Sequence, residues 1–93
     1  MNAERKSGLH VTTLAHAGRI WEAYLEFADD PHRPDSYRAR LRFEAADGEE
    51  GEEPARTGVI IIEPSYEEAV QKARNFDDRQ LEGFLRSVLP KGG

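Results

Sequence analysis

Asp29, Asp30, His32 and Asp35 fall within seven residues of a single Pro-containing stretch, ADDPHRPDS, and combine three carboxylates with an imidazole. Carboxylate oxygens and an imidazole are donors that a divalent cation accepts. Their spacing matches no known site, however, and Asp beside Pro is also turn chemistry, in which short carboxylates cap backbone amides. A polar turn is therefore the expectation, with these four residues as metal candidates only. The acidic run from Asp47 to Glu53 lacks the alternating ligands of a calcium loop and reads as solvated chain.

Acid-base chemistry near neutral pH would draw on His10, His16 or His32, the side chains whose ordinary pKa lies closest to 7. None of the three sits in a nucleophile or metal motif. Ser7, Ser36, Ser65 and Ser87 lack the glycine-flanked elbow that exposes a catalytic serine. The absence of cysteine removes thiolate nucleophiles, disulfides and cysteine-bound zinc. These absences predict a non-enzymatic protein without a cofactor; a small enzyme or metal protein using the His/Asp loop is the alternative.

A sharper pattern lies in two segments built on one template, WEAYLEF (Trp21 to Phe27) and YRARLRF (Tyr37 to Phe43). Alternation with period two puts Arg38, Arg40 and Arg42 on one face of a strand, with Tyr24 of the first segment beside them. Basic and aromatic groups on an open sheet can bind single-stranded nucleic acid. Against this stand a net charge of −5, a pI near 5.2, and Glu22 and Glu26, which flank Tyr24 and can neutralise the arginines. Antiparallel pairing with Phe27 opposite Tyr37 would set Leu25 against Ala39, Ala23 against Leu41 and Trp21 against Phe43. On the reverse face it would set Glu26 against Arg38, Tyr24 against Arg40 and Glu22 against Arg42. In that register Arg40 is the least compensated charge.

The elements that would position these groups follow from the rest of the chain. Val59, Ile60, Ile61 and Ile62 are four consecutive β-branched residues closed by Pro64, the pattern of a third strand. Ser65 with Glu68, and Asp77 with Gln80, carry the spacing of helix capping boxes, with Phe76 and Leu81 at staple positions around the second. The first helix would present Tyr66, Ala69, Val70 and Ala73, and the second Leu81, Phe84, Leu85, Val88 and Leu89. The β-branched LHVTTLA supplies a further strand that turns through HAGR into the first template copy.

These elements predict an α+β fold, a three-stranded antiparallel β-meander (four-stranded if residues 9–15 pair) with two C-terminal α-helices packed on one face. Residues 1–93 make a single small domain, with residues 1–8 disordered, 46–56 a mobile acidic loop and 91–93 a flexible tail. At 38% hydrophobic and 33% charged the chain is polar, and ten Arg against three Lys suits a GC-rich bacterial genome. No apolar run approaches the ~18 residues of a membrane span, so a cytoplasmic location is expected. The functional expectation is a protein-protein interaction module, with Val59 to Ile62 as an edge strand that pairs with a partner, self or other. Nucleic acid is the alternative partner, through Arg38, Arg40, Arg42 and Tyr24.

Overall fold

The computed structural model describes residues 8–28, 35–48 and 51–89. Within them the chain runs β1 (Leu9–His16), β2 (Arg19–Ala28), β3 (Tyr37–Ala45), β4 (Ala55–Arg56), β5 (Ile61–Glu63), α1 (Tyr66–Arg74) and α2 (Asp78–Val88). The sheet is antiparallel in the order β1-β2-β3-β4, with β5 also paired to β3. This is the expected α+β meander with two C-terminal helices on one face, and LHVTTLA does form a strand. Ala17 and Gly18 close the β1–β2 hairpin with φ of 54° and 78°. Positive φ at both central residues gives the two-residue turn whose twist matches that of its strands.

The two template segments pair as a hairpin, but two residues out of the expected register. Trp21 faces Ala45, Ala23 faces Phe43, Leu25 faces Leu41 and Phe27 faces Ala39; on the reverse face Glu22 meets Glu44, Tyr24 meets Arg42, and Glu26 meets Arg40. A slip of two preserves both faces, so alternation could not separate the registers. The physical difference comes from the next strand. In the observed register Glu26 lies where Arg56 of β4 can also reach it across β3, a contact that no comparison of two strands contains.

The segment expected as a third strand is divided. Residues 55–56 pair with the C-terminal half of β3 and residues 61–63 with its N-terminal half, and the two registers differ by two residues. Thr57 accounts for the break. Its N–H donates to Leu41 O at 3.0 Å, while its buried hydroxyl accepts from Leu41 N–H at 3.0 Å and donates to Gly58 O at 2.7 Å. The hydroxyl thus takes the place of a strand carbonyl, Gly58 and Val59 bulge outward, and pairing resumes where Ile60 N–H donates to Ala39 O. Ala55 and Arg56, assigned from sequence to a mobile loop, are therefore strand residues. Of the segments expected to be mobile, residues 1–7, 49–50 and 91–93 lie outside the described residues.

Both helices start at the expected caps. Asp77 and Gln80 make the complete reciprocal box, at 2.8 and 3.0 Å. At Ser65 the hydroxyl accepts from Glu68 N–H, but the Glu68 carboxylate takes the hydroxyl proton rather than the cap N–H. The helices cover the sheet in two territories. Leu81 and Leu85 of α2 bury Leu14, Trp21, Ala23, Leu41 and Phe43, whereas Ala69 and Ala73 of α1 bury Leu25, Ala39 and Ile61. The opposite sheet face carries no helix among the described residues.

Candidate functional site

At one end of the sheet three aromatic rings meet. Phe27 is the penultimate residue of β2, Tyr37 opens β3 and Tyr66 opens α1. The Phe27 and Tyr66 rings stack at 5.2 Å, and Tyr37 stands edge-on to both, at 6.2 and 6.4 Å. The three are 36%, 43% and 48% exposed. Strand alternation puts Phe27 and Tyr37 on the helix-covered face, but the helical cover starts only at Tyr66.

The cluster borders β5, whose outer edge carries no further strand among the described residues. Of the four residues assigned from sequence to a partner-binding strand, Ile61 is fully buried and Ile60 packs against both cores, while Val59 and Ile62 are exposed. Alternation across the resumed β3–β5 ladder turns Ile61 inward beside Ala39 and Ile62 outward beside Arg38. Tyr66 was read from sequence as a core-facing helix residue. The signal that places it here is its position one residue after the Pro64-Ser65 turn that leaves β5.

The uncovered face holds the arginines in a network rather than a strip. Glu26, 7% exposed, accepts from Arg40 Nε at 2.7 Å and Arg56 Nε at 3.0 Å on one oxygen, and from Arg42 Nη1 at 2.8 Å on the other. Burial pushes the Glu26 carboxyl up, but the hydrogen bonds from Arg42, Arg56 and Arg40 outweigh it and hold its pKa at about 2. Arg42 is 4% exposed; its guanidinium lies 4.5 Å over the Tyr24 ring, its Nε is 2.9 Å from Glu44, and its terminal nitrogens reach toward Gly8. Arg42 and Tyr24 thus engage each other. Arg40, expected against Tyr24, is bound to Glu26 instead. Neither Glu26 as the centre nor Arg56 as a member is legible from two strands alone, because Arg56 arrives from beyond the acidic loop.

Toward β1 the same face continues with Glu22, whose Oε1 accepts from Thr13 Oγ1 at 2.6 Å and lies 2.6 Å from His10 Nε2. Hydrogen bonds from Thr13 and His10 lower the Glu22 pKa. Those partners relieve the like-charge pairing of Glu22 with Glu44 across the strands.

On the helix side a cleft of about 700 Å³ opens between the first hairpin, the β4 approach and the end of α2, lined by His16, Arg19, Trp21, Ala55, Val88 and Leu89 among others. His16 Nδ1 lies 2.9 Å from Glu82 of α2, which lowers the Glu82 pKa. Arg19 is held by Asp47 and Glu52 at 3.2 Å, with its guanidinium 5.2 Å from the centre of the Trp21 ring. Hydrogen bonds to Glu52 and Asp47 raise its pKa. The acidic run thus contributes two carboxylates to a definite contact.

Asp29, Asp30 and His32 lie outside the described residues, and Asp35 is exposed. Among the described residues no three His, Asp or Glu side chains converge as metal ligands. No described helix is long and apolar enough to cross a membrane. No protein-family model, curated protein or solved structure matches the chain.

Proposed function

We propose that this protein is a protein-protein interaction module whose contact surface is the end of the sheet around β5. One observation carries the proposal: Phe27, Tyr37 and Tyr66 form a contiguous aromatic cluster, each ring more than a third exposed, next to a strand edge with exposed Val59 and Ile62. Tyrosine and phenylalanine supply large contact area at small entropic cost, and clustered exposed aromatics are a signature of interfaces. The edge of β5, which pairs with no further strand among the described residues, adds backbone groups that an extended segment of a partner can complete. A photo-crosslinking residue at Ile62 is expected to capture a discrete partner in cells, and Tyr66→Arg is expected to abolish that adduct. Capture no better than from a crosslinker at Arg79 on α2, or an adduct indifferent to Tyr66→Arg, would overturn the proposal.

One observation favours a second function, acid-base catalysis in the cleft. His16 pairs with Glu82 through one ring nitrogen, and its other ring nitrogen has no partner among the described residues. A carboxylate that orients an imidazole is the arrangement a general base requires. The cleft-lining residues include no serine, threonine or cysteine, so water would have to be the nucleophile. Hydrolysis of an ester panel that is lost in His16→Gln and kept in His10→Gln would support it; no hydrolysis above buffer would remove it.

A further inference from the structure

Arg40 and Arg56 approach Glu26 in the same unusual way. Each donates only its Nε, and both donate to the same carboxylate oxygen. The two terminal nitrogens of each guanidinium have no partner among the described residues, and the side chains are 39% and 43% exposed. A guanidinium held by Nε still has four N–H donors on its Nη groups in a fixed plane. Two such groups therefore sit on neighbouring strands, anchored at the base and open at the tip.

We propose that Arg40 and Arg56 form a clamp for a phosphoryl group on the uncovered sheet face, with Glu26 as the residue that positions both arginines. This site is separate from the apolar end of β5 and does not depend on it.

Three features select the ligand. The first is charge: Arg38, Arg40, Arg42 and Arg56 stand against Glu22, Glu26 and Glu44 on this face, four to three, in a chain whose overall charge is −5. The local excess is positive where the molecule is negative. The second is shape: a carboxylate presents two oxygens in one plane and satisfies a single fork, whereas a phosphoryl group presents three, directed apart, and can join donors from two strands. The third is preorganisation. Glu26 is buried and fixed by Arg42 from below, so the arginines lose less freedom on binding than two unanchored surface side chains would.

Glu26 also supplies a discriminating test, because attraction by net charge and a positioned clamp predict opposite results. Glu26→Gln removes a negative charge from beneath the ligand. Simple attraction would then strengthen; a clamp that has lost its anchor weakens.

The probes are inorganic phosphate, a mixed-sequence single-stranded oligonucleotide and acetate, added at constant ionic strength while the Arg40 and Arg56 Nε–H signals are followed by NMR. Phosphate is expected to shift both signals and acetate to leave them in place. Glu26→Gln, checked for an intact amide spectrum, is expected to lower phosphate affinity about tenfold, equivalent to about 1.4 kcal/mol. Arg56→Lys keeps the charge but not the fork, lies on an exposed strand, and is expected to lower affinity severalfold; Arg86→Ala on α2 is expected to change nothing. Stronger binding of the oligonucleotide than of phosphate would identify a nucleic-acid backbone as the source, and equal binding a free phosphate or its monoester; both support the clamp. Unchanged or tighter binding in Glu26→Gln, unchanged affinity in Arg56→Lys, equal shifts with acetate, or no shift with either phosphate probe would overturn it.

Discussion

A single carboxylate organises much of the uncovered face. Glu26 is nearly buried and takes hydrogen bonds from three guanidinium groups, so its folded-state pKa of about 2 lies below the roughly 4.3 of an unfolded chain. The unfolded state then binds a proton more readily than the folded one. The contribution of Glu26 to stability is present above the unfolded value and is lost as pH falls toward 2. Melting temperatures of the protein and of Glu26→Gln are expected to differ at pH 6, where the substitution costs about 2 to 3 kcal/mol, and to converge by pH 2. A constant gap across that range would show that the carboxylate charge is not what stabilises the face. Half of this site could be read from the chain: alternation gives Arg40, Arg42, Tyr24 and Glu26 a common face, because side-chain direction in a strand is a local property. Arg56 could not be read, since its place depends on where the chain returns after the acidic loop, and nothing in the residues from Pro54 to Thr57 reports that.

Thr57 shows the same limit among the strands. The β-branched run Val59 to Ile62 has strong strand propensity, yet only Ile61 and Ile62 lie in β5, because a hydroxyl two residues earlier takes a ladder position and displaces the register. Propensity reports what a residue tolerates, not where its partner's N–H groups lie. Thr57→Val keeps the shape but leaves the Leu41 N–H without an acceptor in a buried setting, a cost of about 1 to 3 kcal/mol. Urea denaturation of the variant checks the loss, and a midpoint unchanged from the parent would mean that Gly58 or Val59 re-pairs with Leu41. The helices were easier to read. Asp77 with Gln80 and Ser65 with Glu68 fix their starts within four residues of chain, and the faces that bury Ala69, Ala73, Leu81 and Leu85 follow from the 3.6-residue period. The β2–β3 register is the intermediate case: faces are local, but two registers with the same faces differ only through the third strand.

For the molecule as a whole, composition and patterning led to the α+β meander with one covered face, while the candidate surfaces emerged only from the packing. Tyr66 joins Phe27 and Tyr37 because α1 docks where β5 ends. That docking is light: α1 buries two alanines and half-buries Val70, whereas α2 inserts Leu81 and Leu85 among Trp21, Leu41 and Phe43. Apolar burial stabilises in proportion to area, so the α1 territory is the weaker of the two. Its backbone amides are expected to exchange with solvent deuterium sooner than those of α2, by an opening that leaves the α2 territory intact. Uniform exchange across both helices would instead mean that they unfold together. Since the Tyr66 ring travels with α1, each such opening takes the aromatic cluster apart, and a partner that binds it must hold the helix down. Slowed exchange along α1 would then report occupancy of the cluster at its first residue.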